Sequence, residues 1–317
     1  MSRITRIVFG FMVATLVRSS TTFTLLMPRA VFGETRCPGS IAPVRYHPLA
    51  LGQMAIPVTI NHSGPYEFMV DTGTQLTIVD PSLAVELHLQ PQGTIGVLSV
   101  AKWTDQPWVM PELLEAGPYA IHNPVAVVES LEQIQSRDPT VRGILGENFL
   151  AHFDLLIDHE RKMLCFDESR QLQQQVQGER VPVMDQSDHQ GPIPLPQLIR
   201  ISVSLYGSGL RNRVLRLDSG AGVAILYDNR EAAKPQELRA RAARGHVVGE
   251  GAQSFVALPP QDVRIGKHLL SQVAFMAPLS ARLNSAPAGE DGLLPTGLFD
   301  RVFISFADHY VVLNPRL

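Results

Sequence analysis

The chain repeats itself, and the repeat constrains the fold more than any other feature. Residues 66–79 read YEFMVDTGTQLTIV and residues 213–226 read RVLRLDSGAGVAIL. In each stretch an apolar strand runs into Asp-Thr/Ser-Gly, and Asp218 follows Asp71 by 147 residues. Apolar Val70, Leu76, Ile78 and Val79 fall on apolar Leu217, Val223, Ile225 and Leu226. A second pair follows at nearly the same offset: GILGENFLAHFDLLI begins at Gly143 and GLLPTGLFDRVFISF at Gly292, 149 residues on. One Asp-Thr-Gly alone is ordinary turn chemistry. Two that each end an apolar strand, each followed at one distance by the same Gly-apolar segment, mark a duplicated unit.

Upstream of each aspartate, MAIPVTINHSGPYEFMV and QLIRISVSLYGSGLRNRVLRL alternate apolar and polar residues, turn at a glycine and re-enter a strand, which predicts a β-hairpin in each repeat. Helical patterns are few: PSLAVELHL after Asp80, SLEQIQS near residue 133, and NREAAKPQELRARAARG, residues 229–245, which Pro235 interrupts. Residues 167–196 are Gln-rich and then Pro-rich, the composition of a connection between two units. The 317 residues, 45% hydrophobic and 18% charged, suffice for two lobes with a sizeable core.

The N-terminus predicts export. Arg3 and Arg6 precede the apolar stretch Ile7 to Val17, too short to span a bilayer and suited to a signal-peptide core ending near residue 33. An uncleaved membrane anchor is the alternative. Cleavage there removes four arginines and no acid, taking the net charge from -3 to -7 and leaving no stable membrane insertion. Neither charge nor any basic run predicts a nucleic-acid partner. Cys37 and Cys165 either pair in the exported chain or stay as free thiols. No HExxH, CxxC, GxSxG or Walker-type loop is present, so no metal or cofactor is expected.

Two Asp-Thr/Ser-Gly loops brought to one seam place two carboxylates side by side. They cannot both ionise cheaply, so they share a proton and titrate as a pair. The ionised member can take a proton from a water held between them, and the protonated member can donate to a carbonyl oxygen under attack. Gly73 and Gly220 allow close approach and backbone donation to the carboxylates, and the hydroxyls of Thr72 and Ser219 can brace one loop against the other.

Over about residues 50–317 the chain resembles the aspartic peptidases of the pepsin and retropepsin superfamily, most of all bacterial single-chain proteins with two retropepsin-like repeats. The resemblance implies a mainly β, bilobal pepsin-like fold, two pseudo-twofold related β lobes of six-stranded type with a cleft between them. It assigns residues 45–166 and 197–317 to the lobes and 167–196 to the linker. It makes Asp71 and Asp218 the catalytic dyad of an aspartic-type endopeptidase, with Ile144, Leu145 and Gly146 packing behind one loop and Leu293 and Leu294 behind the other. Peptide or protein is the implied substrate. Two repeats in one chain remove the need for a homodimer, so a monomer is expected.

Three departures carry consequences. Pro295 stands where the pattern has a glycine. Thr74 can donate to Asp71, whereas its counterpart is Ala221, as in retroviral members, which leaves Asp218 with one donor fewer and favours its protonation. The 147-residue spacing is shorter than in pepsin-like enzymes and implies trimmed lobes. A flap is expected from residues 94–114, presenting Trp103 or Trp108 unless both simply pack, or from the Gly-rich residues 245–260. A catalytically silent peptide-binding protein on the same scaffold is the alternative function; an unrelated β protein would need two matched offsets by accident.

Overall fold

A computed structural model describes residues 36–98, 103–184, 195–207, 210–228, 242–247, 251–278 and 289–317. The signal-peptide expectation lies outside them. The described chain is mainly β, with a few helices of four to six residues.

Three sheets carry the fold. The first orders its strands Gly93–Leu98, Trp103–Val109, Ala126–Val128, Thr77–Val79, Val141–Leu145, Ser63–Val70, Met54–Ile60, Leu113–Ala116 and Tyr119–His122, with His47–Pro48 pairing beside Met54–Ile60. The second orders Ala242–Val247, Gly251–Ala257, Phe275–Pro278, Ala224–Leu226, Gly292–Pro295, Leu210–Asp218, Arg200–Tyr206, Gln261–Ile265 and His268–Val273. Each place in one order has its counterpart in the other. Both predicted hairpins form, pairing Ala55 with Met69 and Arg200 with Arg216.

The third sheet is built from both halves. It runs Pro43–Arg45, Met163–Asp167, Asp154–Asp158, Arg301–Ser305, Tyr310–Leu313, Arg180–Pro182, with Leu155 opposite Ile304 across the join. The expected six strands to each lobe therefore become a larger sheet in each half and one six-stranded sheet shared between them. The segment read as a linker is partly built into that sheet: it carries the helix Gln171–Gln175 and the strand Arg180–Pro182, which pairs with Tyr310–Leu313. Strands Asp154–Asp158 and Met163–Asp167 are buried at every position, so the acids at their ends need partners. Asp158 has Arg161 at 3.2 Å and Arg301 at 3.0 Å.

The helix Pro81–Glu86 forms as its sequence directs, with Asp80 accepting from the Ser82 amide at 2.9 Å and proline in the first turn. The expected helix over residues 229–245 lies mostly outside the described residues. Its last part is corrected: Ala242–Val247 is a strand, paired antiparallel with Gly251–Ala257. Cross-strand pairing there overrides the helix preference of Ala and Arg. This hairpin holds the same place in its sheet as Gly93–Leu98 with Trp103–Val109 holds in the other. Trp108, half-buried, pairs with Gly93.

Cys37 and Cys165 form a disulfide that ties the chain ahead of the first strand to the shared sheet. The disulfide packs with Leu156, Met163, Leu172, Phe303 and Tyr310, while Phe149, Phe153, Phe166 and Tyr119 of the main core make edge and tilted contacts at 5.3 to 6.0 Å. Among the described residues no helix is long and apolar enough to cross a membrane.

Candidate active site

Each aspartate is held by the strand behind it. Val141–Leu145 runs parallel to Ser63–Val70, and the Asp71 amide donates to the Leu145 carbonyl at 3.0 Å. Gly292–Pro295 runs parallel to Leu210–Asp218 and sets Leu294 beside Leu217 and Pro295 beside Asp218. The Ile144-Leu145-Gly146 and Leu293-Leu294 segments thus lie behind the two loops.

The loops meet and lock. The Thr72 amide donates to Ser219 Oγ at 3.0 Å, and the Ser219 amide donates to Thr72 Oγ1 at 3.0 Å. Each hydroxyl then donates onward to the opposite strand, Thr72 Oγ1 to the Leu217 carbonyl at 3.0 Å and Ser219 Oγ to the Val70 carbonyl at 2.8 Å. All four bonds are buried, and they fix the spacing of the two carboxyls. Both glycines are needed for close approach: a Cβ on Gly73 would overlap the Asp218 carboxyl, and one on Gly220 would overlap the Asp71 carboxyl.

The aspartates are buried, 8% and 6% exposed, and hydrogen-bond each other. Asp71 Oδ1 accepts from the Gly73 amide and Oδ2 from Thr74 Oγ1, both at 2.7 Å. Asp218 Oδ1 accepts from the Ala221 amide at 2.8 Å, so the backbone donor in this loop is Ala221 and not Gly220 as the sequence suggested. Burial first, and then the charge of Asp71, hold the Asp218 carboxyl well above the usual carboxylate range. The direction agrees with the expectation drawn from Ala221, but the leading causes are burial and the neighbouring carboxylate.

Pro295 has a local explanation. In the first half Gly146 donates its amide to Thr77 Oγ1 at 3.3 Å, and a Cβ there would strike the Leu76 and Thr74 backbone. At the place of Thr77 the second half has Ala224, which has no hydroxyl to receive a bond. Donor and acceptor are absent together, so proline leaves nothing unsatisfied.

Sequence reasoning missed a charged cluster beside Asp218. Glu290 accepts from Arg200 Nε at 2.7 Å, meets Arg216 Nη2 at 2.7 Å and accepts from the Tyr227 hydroxyl at 2.6 Å. Arg216 also donates from Nη1 to the Gly73 carbonyl at 2.7 Å, tying the second half to the first loop. Gln53 Nε2 makes the reciprocal tie to the Gly220 carbonyl. The signal was present: Arg216 interrupts an apolar strand where the repeat has Met69. Among the described residues no group of His, Cys, Asp and Glu is arranged to hold a metal.

Residues 56–149 match the family model described as aspartyl protease. The match takes in Asp71, its loop and the Ile144-Leu145-Gly146 segment, and supports a protease of the aspartic peptidase superfamily. No curated protein matches the chain.

Proposed function

We propose that the chain is an aspartic endopeptidase with Asp71 and Asp218 as its dyad, the two halves acting as pseudo-twofold related lobes, residues 45–166 and 197–317, around a peptide cleft. The observation that carries the reading is the pair of buried carboxyls, hydrogen-bonded to each other at the junction of two mutually braced loops. Such a pair holds one proton and one negative charge over a broad range of pH.

The environments divide the roles. Asp71 receives two donors besides its partner and is suited to carry the charge and to accept a proton from the attacking water. Asp218 receives one, is held protonated by burial, and is suited to donate to the carbonyl oxygen. The water's proton passes to Asp71 as the hydroxyl adds; on collapse of the tetrahedral intermediate Asp71 gives that proton to the leaving amine and Asp218 takes its own back from the gem-diol hydroxyl, which restores the starting pair. The paired hairpins Gly93–Leu98 with Trp103–Val109 and Ala242–Val247 with Gly251–Ala257 are the candidate flaps.

The disulfide accords with folding in an oxidising compartment, so export to the periplasm or beyond is part of the proposal. The protein acts as a monomer on peptide or protein substrates.

The test is a cleavage assay on a diverse peptide mixture from acid to neutral pH, with products read by mass spectrometry. Asp71→Asn and Asp218→Asn should each lower the rate by about 10²- to 10⁴-fold or more. A folded parent that cuts nothing, or variants that cut as well as the parent, would overturn the reading in favour of a silent peptide-binding protein.

A further inference from the structure

The chain that enters the first half is laid on the loop of the second. Leu49 donates its amide to the Gln53 carbonyl at 2.8 Å and Gln53 donates back to the Ala50 carbonyl at 3.4 Å, closing a tight turn ahead of the strand Met54–Ile60. Leu51 and Gly52 take left-handed backbone to make it, at φ 59° and 82°. The turn sits against the residues after Asp218: a Cβ on Gly222 would press on the Leu51 side chain. From this turn Gln53 Nε2 donates to the Gly220 carbonyl.

That bond acts on Asp218 through one peptide group. The Gly220 carbonyl and the Ala221 amide belong to the same planar trans peptide and point in opposite directions. Gln53 holds one end, and the other end donates to Asp218 Oδ1 at 2.8 Å. Sterics restrain a peptide after glycine only weakly, and Gly220 admits no side chain, because a Cβ there would overlap the Asp71 carboxyl. The plane is therefore set by what its two ends bind. Donation to the carbonyl also polarises the N–H and strengthens its bond to the carboxyl.

The first loop does without such a relay. Its counterpart, the Gly73–Thr74 peptide, is held at the carbonyl by Arg216 Nη1 at 2.7 Å, but its amide faces the Asp71 main-chain carbonyl at 3.4 Å and not the carboxyl. Asp71 is oriented instead by the Gly73 amide and the Thr74 hydroxyl. Packing does not call for an amide at the place of Gln53. Ala55 pairs with Met69 as Arg200 pairs with Arg216, which makes Leu198, buried and apolar, the counterpart of Gln53 in the repeat.

We propose that Gln53 is a positioning residue of the dyad: reaching from the first half, it fixes the Gly220–Ala221 peptide and so aims the Ala221 N–H at Asp218 Oδ1. Its weight in catalysis rests on the peptidase reading above. An oxygen engaged by an amide is the poorer place for a proton, so the relay directs the proton of Asp218 to Oδ2. A donor to a carboxyl favours its anion, so the relay also makes Asp218 the readier acid. Asp71, Arg216, Glu147 and Tyr227 are the titratable groups that act on Asp218. Gln53 carries no charge, so an apolar residue in its place leaves that field as it is.

The test is Gln53→Leu, the repeat's own residue, with Gln53→Met if leucine is not tolerated. Two NMR signals are read in the folded protein. One is the Ala221 amide, in protein labelled with nitrogen-15 at alanine. The other is the Asp218 carboxyl, in protein labelled with carbon-13 at the aspartate carboxyls and assigned with Asp218→Asn. The Ala221 amide proton should move upfield as its bond weakens. The pair should give up its last proton about half a pH unit higher, part of what one backbone donor contributes. The value of kcat should fall about tenfold with KM little changed, and the alkaline limb of the rate profile should move up with the titration. Gln53→Glu keeps the shape but donates only while protonated, so it should match the parent in acid and lose rate as it ionises. An Ala221 amide and an Asp218 titration that stay in place overturn the proposal, and so does a rate lowered with both limbs unmoved. Shifted signals in a protein that cuts nothing support the relay and remove the peptidase reading. Cleavage that needs both aspartates and ignores Gln53 does the reverse.

Discussion

The two halves share a strand order and a loop, yet what lies beside each loop differs in kind. On the side of Asp71 the face is apolar: Ala55, Met69, Ile78, Val141 and Ile144 pack in one cluster with Leu49, Leu76, Val127 and Leu131. On the side of Asp218 the places of Ala55 and Met69 are taken by Arg200 and Arg216, joined by Glu290 and Tyr227. The two loops have in common an aspartate, a glycine and a bracing hydroxyl. The supporting faces beside them diverge. A charged face beside one member of a carboxyl pair makes the pair unequal, so the divergence bears on which aspartate keeps the proton.

The largest effect expected from breaking this difference comes from removing one ion of the cluster. Arg216→Met installs the first half's residue in the second. It strips Glu290 of one of its two guanidiniums and the Gly73 carbonyl of its donor, and should cost about 3 to 5 kcal/mol of stability, as losing one member of a buried ion pair does. Replacing its three ions with the first half's residues, Arg200→Ala, Arg216→Met and Glu290→Val together, should recover much of that loss, since no unpaired ion remains. Denaturant unfolding of the single and triple variants reads both numbers. A triple variant no more stable than Arg216→Met would show that the cluster holds the fold by more than its own pairing.

How far the sequence carried follows from the same asymmetry. The repeat made the aspartates, glycines and hydroxyls legible, because they recur at one offset in a recognisable strand-loop setting. The hairpins were legible from alternation. The shared six-stranded sheet was not, because its strands are mostly apolar without alternation and three of its five pairings join strands more than a hundred residues apart, as Leu155 pairs with Ile304. The strand Arg180–Pro182 was hidden by Gln-rich and Pro-rich surroundings that read as linker. The charged cluster was not legible for a different reason: a repeat marks residues by what its copies share, and Arg216, Arg200, Glu290 and Glu147 are where the copies part.

A smaller effect sharpens the comparison through pH. Asp218 and Glu147 are acids that burial holds well above the carboxylate range in the folded chain. In the unfolded chain both ionise near pH 4. The folded state therefore binds more protons than the unfolded one above that pH, and stability falls as pH rises from about 4 through the folded-state values. Asp218→Asn removes one such acid and should flatten the fall, leaving the variant more stable than the parent at neutral pH while it loses activity. Thermal unfolding followed from pH 4 to pH 8 reads this directly. Parallel curves for parent and variant would mean that Asp218 is not the group held protonated.

The smallest effect concerns Pro295 against Gly146. The first half uses the amide of Gly146 on Thr77 Oγ1, and the second half lacks both partners of that bond at Pro295 and Ala224. Pro295→Gly should then change stability by less than about 1 kcal/mol, chiefly through added freedom of the unfolded chain. Restoring the acceptor as well, in Pro295→Gly with Ala224→Thr, should recover about that amount through one buried hydrogen bond. Gly146→Pro should be far worse, since it removes a donor that has an acceptor and drives side-chain atoms into the Leu76 and Thr74 backbone. Equal costs for Pro295→Gly and Gly146→Pro in denaturant unfolding would mean that the two positions are not equivalent after all, and that the second loop is held by contacts with no counterpart in the first.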